Sequence, residues 1–265
     1  MAETTGSAPE TAGGVAFQGN PLKHTNADKA LFTQYADYFE ASPIPTTLKL
    51  QNFAKYVRRQ DISRFLAKNE LFKLQIDVPG VVIECGCFAG GGLLTWAQLS
   101  SIYEPYNHQR RVYGFDTFSG FPAVDASDAN REAPARSGDL FVDRNIVSEL
   151  GQAIELHDRN RALSHIPKTE LVVGDAMLTI PRFLQDNPHI VVSLLYLDFD
   201  LHAPTRAALE TFVARMPRGA VLAFDELNTR AYPGETLALL ETLGIRSLRL
   251  RKTAFDPYIA YAVLE

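Results

Sequence analysis

The chain has 265 residues, enough for one large α/β core with an appended helical segment. Its apolar share of 46% and charged share of 22% are those of an ordinary globular protein, and a net charge of -5 offers no basic groove to nucleic acid. Cys85 and Cys87, one residue apart, suit neither a disulfide nor a complete zinc site, and no apolar run approaches a membrane span, so a reduced, cytoplasmic chain without membrane or nucleic-acid partners is expected.

Residues 1–20 are rich in Ala, Thr, Gly, Glu and Pro with little to bury, and they are expected to form a disordered tail. Their opening, MAETTGSAPETAGG, has neither the basic nor the apolar segment of a secretion signal. In residues 21–78 the stretches ADKALFTQYADYFE and DISRFLAKNELFKL place apolar residues three and four apart. That spacing predicts an N-terminal helical cap, and residues 79–265 read as the main domain.

From Val81 the pattern alternates between continuous apolar runs and helical stretches. VVIEC, RVYGFD, ELVVG, VVSLLYLDFD and GAVLAFDE read as strands. LLTWAQLSSIY, a stretch near 143–165, AMLTIPRFLQD, TRAALETFVARM and GETLALLETLG read as helices. Apolar runs without polar alternation belong to strands buried on both faces, so the pattern predicts an α/β fold with a mostly parallel sheet covered by helices. RSLRLRK and YIAYAVLE lack an intervening helix and predict a terminal hairpin, making the last of seven strands antiparallel. That is the usual arrangement of Rossmann-like class I methyltransferases. The polar segment AVDASDANREAPARSGDLFVDR, after GFDTFSGFP, is long for a connection and reads equally as a lid or as a tolerated insertion.

The turn IECGCFAGGG joins the first strand to its helix. A dinucleotide fingerprint needs glycines at its first, third and sixth positions, and here these are Gly86, Phe88 and Gly91. Phe88 would obstruct a close phosphate, which disfavours a nicotinamide or flavin dinucleotide, whereas S-adenosylmethionine has no phosphate to place. Asp116 ends the second strand where a carboxylate can receive ribose hydroxyls, or it caps a helix together with Thr117. Asp175 caps the helix from Ala176, approaches an adenine amino group, or does both.

LLYLDFDLHAPT exits a buried strand into Asp198 and Asp200, and GAVLAFDELN ends in Asp225 and Glu226. If these strands are neighbours they lie about 4.8 Å apart, and the carboxylates converge at the edge where open parallel sheets bind ligands. An all-oxygen set favours Mg²⁺, Mn²⁺ or Ca²⁺ over zinc, while acids that separately cap helices or pair with Arg206 or Arg230 are the alternative. A metal on a substrate hydroxyl would lower its pKa, and a neighbouring carboxylate would take the proton, with Asp200 preferred as that base.

These residues resemble the macrocin- and mycinamicin-type metal-dependent sugar O-methyltransferases through FLAKNELFKL, VVIECGCFAGGG, VYGFDTFSGFP, LLYLDFDLHAPT and GAVLAFDELN, over about residues 60–265. The resemblance implies S-adenosylmethionine and Mg²⁺ (or Mn²⁺) as cofactors, with Asp198, Asp225 and Glu226 as metal ligands and Asp200 as base. It places Glu84, Gly86, Gly90, Asp116, Thr117, Phe118, Ser119, Asp175, Ala176 and Asp198 at the cofactor. Family members often read Asp-Gly-Asp at 198–200 and Asp-Asp at 225–226. Many also carry tyrosine where His202 stands, which leaves His202 as an alternative base, a substrate contact or a helix-start residue. Tyr232 and Glu235 could face the sugar.

The substrate implied is a nucleotide-linked deoxysugar or a glycosylated natural product, and self-association is an analogy drawn from the family. Catechol or phenol methylation is the nearest alternative, opposed by Leu201 where such enzymes commonly carry lysine. A dinucleotide oxidoreductase or a non-catalytic cofactor-binding module completes the set of readings.

Overall fold

Apolar runs that fill both faces of a strand become the centre of the molecule. The computed structural model describes residues 25–129 and 135–265; the expected tail, residues 1–20, lies outside them, as do residues 21–24 of the expected cap. Seven strands form one sheet: β1 (Val81–Cys85), β2 (Val112–Asp116), β3 (Thr169–Val173), β4 (Val192–Leu197), β5 (Val221–Phe224), β6 (Arg251–Lys252) and β7 (Ala260–Val263). Their order is β3-β2-β1-β4-β5-β7-β6. The first five pair in parallel, and β7 runs antiparallel to both β5 and β6. The terminal hairpin is therefore present, although only Arg251 and Lys252 of RSLRLRK join the ladder, because the preceding residues 245–247 turn as a short 3-10 helix.

The helices are α1 (Asn26–Ala41), α2 (Thr46–Gln51), α3 (Arg59–Leu74), α4 (Gly91–Tyr103), α5 (Ile146–Arg159), α6 (Ala176–Asp186), α7 (His202–Phe212) and α8 (Gly234–Thr242). Two cores result from the alternation of side chains along β1. Val81, Ile83 and Cys85 face the layer of α6, α7 and α8, with Phe183, Phe212 and Leu239. Val82 faces the opposite layer, with Ala67, Leu71 and Phe72 of α3, Trp96 of α4 and Leu150 of α5. Glu84 has the same phase as Val82, so this strand delivers a carboxylate into the second core.

The N-terminal helices divide by packing. α3 is part of the second core, whereas α1 fully buries no residue and meets the chain through Tyr38 and Phe39 against Tyr56. No helix among the described residues is long and apolar enough to cross a membrane. Both cysteines are buried thiols without a disulfide, and burial pushes each well above the usual thiol range, so neither is a ready nucleophile.

Candidate functional site

The reversal of strand order between β1 and β4 puts their carboxyl ends at the crevice where open α/β sheets hold ligands. Backbone ladders continue one residue past the strands: Asp198 N–H donates to Cys85 O at 2.7 Å and Asp225 N–H to Leu197 O at 2.8 Å. The acids are thus fixed by the sheet rather than carried on mobile loops. Four non-glycine residues with left-handed backbone, Phe88 (φ 48°), Phe118 (φ 53°), Asp200 (φ 62°) and Asn228 (φ 61°), lie in the loops after β1, β2, β4 and β5. Strained backbone collected at one edge of a sheet is characteristic of a functional site.

Gly86 explains how the first loop passes the fourth strand. Its φ is +94°, and a Cβ there would lie 1.9 Å from the Asp198 carbonyl oxygen, so only glycine allows this approach. Gly90, also left-handed, stands at the N-cap of α4. Phe88 is half exposed beside them, with its N–H turned to Asp116.

Asp116 differs from the expected helix cap. No helix follows it, because Phe118 and Gly120 turn the chain with positive φ. Its carboxylate instead receives the backbone N–H groups of Cys87 (2.7 Å), Phe88 (2.8 Å) and Phe118 (2.7 Å). It therefore clasps the glycine turn to the β2 loop, where Thr117 donates to Gly120 O and accepts from Ser119 N–H. Asp175 does cap α6, accepting from Met177 N–H at 2.9 Å, with Ala176 as the first helical residue.

Glu84 lies inside the core, not on the open crevice. Its Oε1 takes the Lys68 ammonium at 3.0 Å and the Trp96 indole N–H at 3.2 Å, and its Oε2 has no hydrogen-bond partner. The Lys68 nitrogen also sits 3.5 Å from the Tyr196 ring centroid. A Cβ on Gly92 would fall 2.0 Å from Glu84 Oε1, so the last glycine of the run makes room for this pair. Burial raises the pKa of Glu84, against the opposing pull of Lys68.

The acids of β4 and β5 share their neighbourhood with an arginine that sequence reasoning missed. Arg64 of α3 forms a short ion pair with Asp225 Oδ1, which also accepts the Tyr196 hydroxyl, and its guanidinium lies 3.8 Å from Asp198. Burial would raise the pKa of Asp225, but Arg64, helped by Lys68 and Tyr196, holds it below the usual carboxylate range. Burial and the Asp225 charge push Asp198 well above that range. Glu226 is buried; its N–H donates to Glu235 Oε2 at 3.2 Å and its Oε2 accepts from Thr229 at 3.3 Å.

Glu235 is a second residue for which the sequence suggested a different part. It is fully buried rather than facing a substrate, its Oε1 has no partner, and burial together with Asp198, Asp200 and Asp225 raises its pKa well above normal. Tyr232 is pushed upward by burial and by Asp200 and Glu226, and its ring meets Phe121. An all-oxygen acid set with an unpartnered buried carboxyl oxygen suits a hard cation in its chemistry. In this arrangement, however, no three Asp, Glu, His or Cys side chains among the described residues converge as ligands, because Arg64 lies between Asp198 and Asp225.

His202 begins α7. Its ring Nε2 lies 2.9 Å from Glu241 of α8, and its backbone N–H donates to Asp128 at 2.6 Å. Leu201 at the N-cap offers no side-chain acceptor, so Asp128, from the long polar loop, supplies one. The loop is also paired at its base, Phe121 N–H to Asp139 O and Gly138 N–H to Phe121 O. The loop is thereby held to the start of α7; its residues 130–134 lie outside the described residues.

A mostly parallel sheet closed by an antiparallel hairpin, a glycine turn after its first strand and a site at the strand ends define the class I methyltransferase fold. The model of the TylF macrocin-O-methyltransferase family matches residues 66–235, and the chain belongs to that family. It is accordingly an enzyme of S-adenosylmethionine-dependent methyl transfer.

Solved structures agree. A crystal structure of CalS11, calicheamicin methyltransferase, is similar at 35% identity and TM-score 0.87, over 91% of this chain and 93% of that one. An apo structure of CalS11, described as a TDP-rhamnose 3'-O-methyltransferase of calicheamicin biosynthesis, matches at 31% identity and TM-score 0.79, over 91% and 95%. The O-methyltransferase NovP, at 20% identity and TM-score 0.60 over 77% and 80%, shares the fold. A comparison with curated proteins returns no match.

Proposed function

We propose that the protein methylates a sugar hydroxyl with S-adenosylmethionine in a Mg²⁺-dependent reaction, and that a nucleotide-linked deoxysugar is the substrate class to test before a glycosylated natural product. The observation carrying this reading is the pair of acid exits, Asp198–Asp200 and Asp225–Glu226, on adjacent central strands beside the glycine turn. The similarity to CalS11, described as acting on TDP-rhamnose, supports the substrate class.

S-adenosylmethionine supplies the electrophilic methyl group, and a bound divalent cation would acidify and orient the acceptor hydroxyl. Gly86 and Gly90 let the turn beside the cofactor pass close to Asp198 and Leu150, Asp116 holds the turn in shape, and Asp175 with Ala176 borders the adenine side. Asp198, Asp225 and Glu226 would hold the cation. Asp200, set beside them in a left-handed backbone, takes the hydroxyl proton. His202, engaged with Glu241, positions the α7–α8 contact. The enzyme is proposed to work in the cytoplasm and to self-associate.

Titration calorimetry with S-adenosylmethionine, then Mg²⁺ with nucleotide deoxysugars, tests the reading. Cofactor binding followed by metal-dependent sugar binding is expected, and Asp200→Asn should keep cofactor affinity while turnover falls by about 10²-fold or more. Unchanged turnover in that variant would remove Asp200 as base. Turnover in EDTA equal to that in Mg²⁺ would remove the cation.

A further inference from the structure

α3 presents two cations one helical turn apart on the face that meets the sheet. Lys68 is committed to Glu84 in the core. Arg64 reaches acids that leave three different elements: Asp225 after β5, Asp198 after β4 at 3.8 Å, and Asp256 in the β6–β7 connection at 3.6 Å. The Arg64 side chain retains 39% of its accessible surface, whereas the Asp225 side chain retains 5%. The guanidinium therefore covers Asp225 from the solvent side, and the Tyr196 hydroxyl holds the same Oδ1 from the core side.

We propose that Arg64 is the resident counter-ion of the acid site, and that a divalent cation reaches Asp198 and Asp225 only by displacing it. This inference rests on the metal-dependent reading above. A guanidinium and a divalent cation cannot share one carboxylate oxygen without strong repulsion at such range. Cation entry and Arg64 release are then a single exchange. Three features fit it: the acids are arranged around the guanidinium and not around a common point, the arginine is accessible enough to swing outward, and Asp256 stands ready to keep it. The exchange keeps the buried acids neutralised in both states, where an uncompensated buried charge would be costly.

The test is a direct measurement of cation binding, independent of turnover. Mn²⁺ is titrated into the full-length, EDTA-stripped protein and followed by electron paramagnetic resonance, for wild type, Arg64→Ala and Arg64→Gln, each checked by circular dichroism. Arg64→Gln retains a donor for Asp225 and is the variant to rely on if Arg64→Ala unfolds. Both folded variants should bind Mn²⁺ at least tenfold more tightly than wild type. In Arg64→Ala, millimolar methylguanidinium should weaken Mn²⁺ binding again, while leaving wild type unaffected; a purely structural arginine would not produce that competition.

Mn²⁺ affinity in the variants equal to or below a measurable wild-type affinity overturns the exchange and leaves the metal site standing. Absence of Mn²⁺ binding in all three proteins, with S-adenosylmethionine present, overturns both the metal reading and the exchange. Binding in the variants with none in wild type would show Arg64 closing the acids to the cation, and overturns both the exchange and the metal reading for the wild-type chain.

Discussion

Lys68→Met gives the sharpest test of the buried charge beneath the cofactor turn. The substitution keeps the side chain's volume and removes its ammonium from Glu84, whose side chain is 1% accessible. Breaking such a pair costs about 3–5 kcal/mol. Glu84 can escape part of the cost by taking a proton, which from an unfolded pKa of about 4.3 requires about 4 kcal/mol at pH 7 and about 1 kcal/mol at pH 5. Loss of the ammonium over the Tyr196 and Trp96 rings adds about 1 kcal/mol at either pH.

The sign follows from burial, which raises the folded pKa of Glu84 and does so further once Lys68 is gone. An acid with a raised folded pKa loses stability as pH climbs from its unfolded value toward the folded one. The variant should thus be about 4–5 kcal/mol less stable than wild type at pH 7, a midpoint loss of roughly 8–20 °C, and should recover about 2–3 kcal/mol of that at pH 5. Urea unfolding at the two pH values measures it. Lys68→Met with Glu84→Gln should restore much of the loss at pH 7, since no buried charge is then stranded. A penalty below about 1 kcal/mol, or one of equal size at both pH values, would refute the reasoning.

Gly86→Ala should abolish the fold or cost about 3 kcal/mol or more, against no cost for the control Gly91→Ala. The former places a Cβ 1.9 Å from the Asp198 carbonyl and the latter meets nothing within 4 Å; equal thermal midpoints would contradict the close approach. Gly91→Ala, at the start of α4, should be neutral or stabilising by up to about 1 kcal/mol. Asp128→Ala should cost about 1 kcal/mol and speed hydrogen exchange at the first turn of α7, whereas unchanged protection would mean that the loop does not hold that turn.

Lys168 is buried, and burial with the nearby Arg161 charge lowers its pKa to about 8. Between that value and an unfolded pKa of about 10.4 the unfolded chain binds more protons, so stability relative to Lys168→Met should rise with pH across this window. Parallel pH curves for the two proteins would show that burial does not perturb the lysine.

What the sequence revealed, and what it hid, divides by the range of the interactions. α6 occupies the span of AMLTIPRFLQD because Asp175 caps it locally and its apolar residues keep one face. The strand exits bearing Asp198 and Asp225 were equally legible, since a buried apolar run that stops at acids has few other meanings. Of the two readings of Asp116 only the cap fails, for the same local reason: an acid after a strand suggests a following cap, yet its N–H donors include Cys87 and Phe88 on another loop.

Arg64 pairs with an acid 161 residues away, a partnership that no local window contains. The available signal was narrower. Arg64 and Lys68 interrupt the inward face of a helix that goes on to bury Leu71 and Phe72. Two cations one turn apart on a face continuous with the core require buried acids opposite them, and IEC, LDFD and FDE are the strand ends that could supply those acids. Glu84 and Asp225 meet that demand in the fold. The N-terminal helices therefore divide in chemistry as they do in packing: α3 neutralises the centre of the site, and α1 and α2 stand outside that balance.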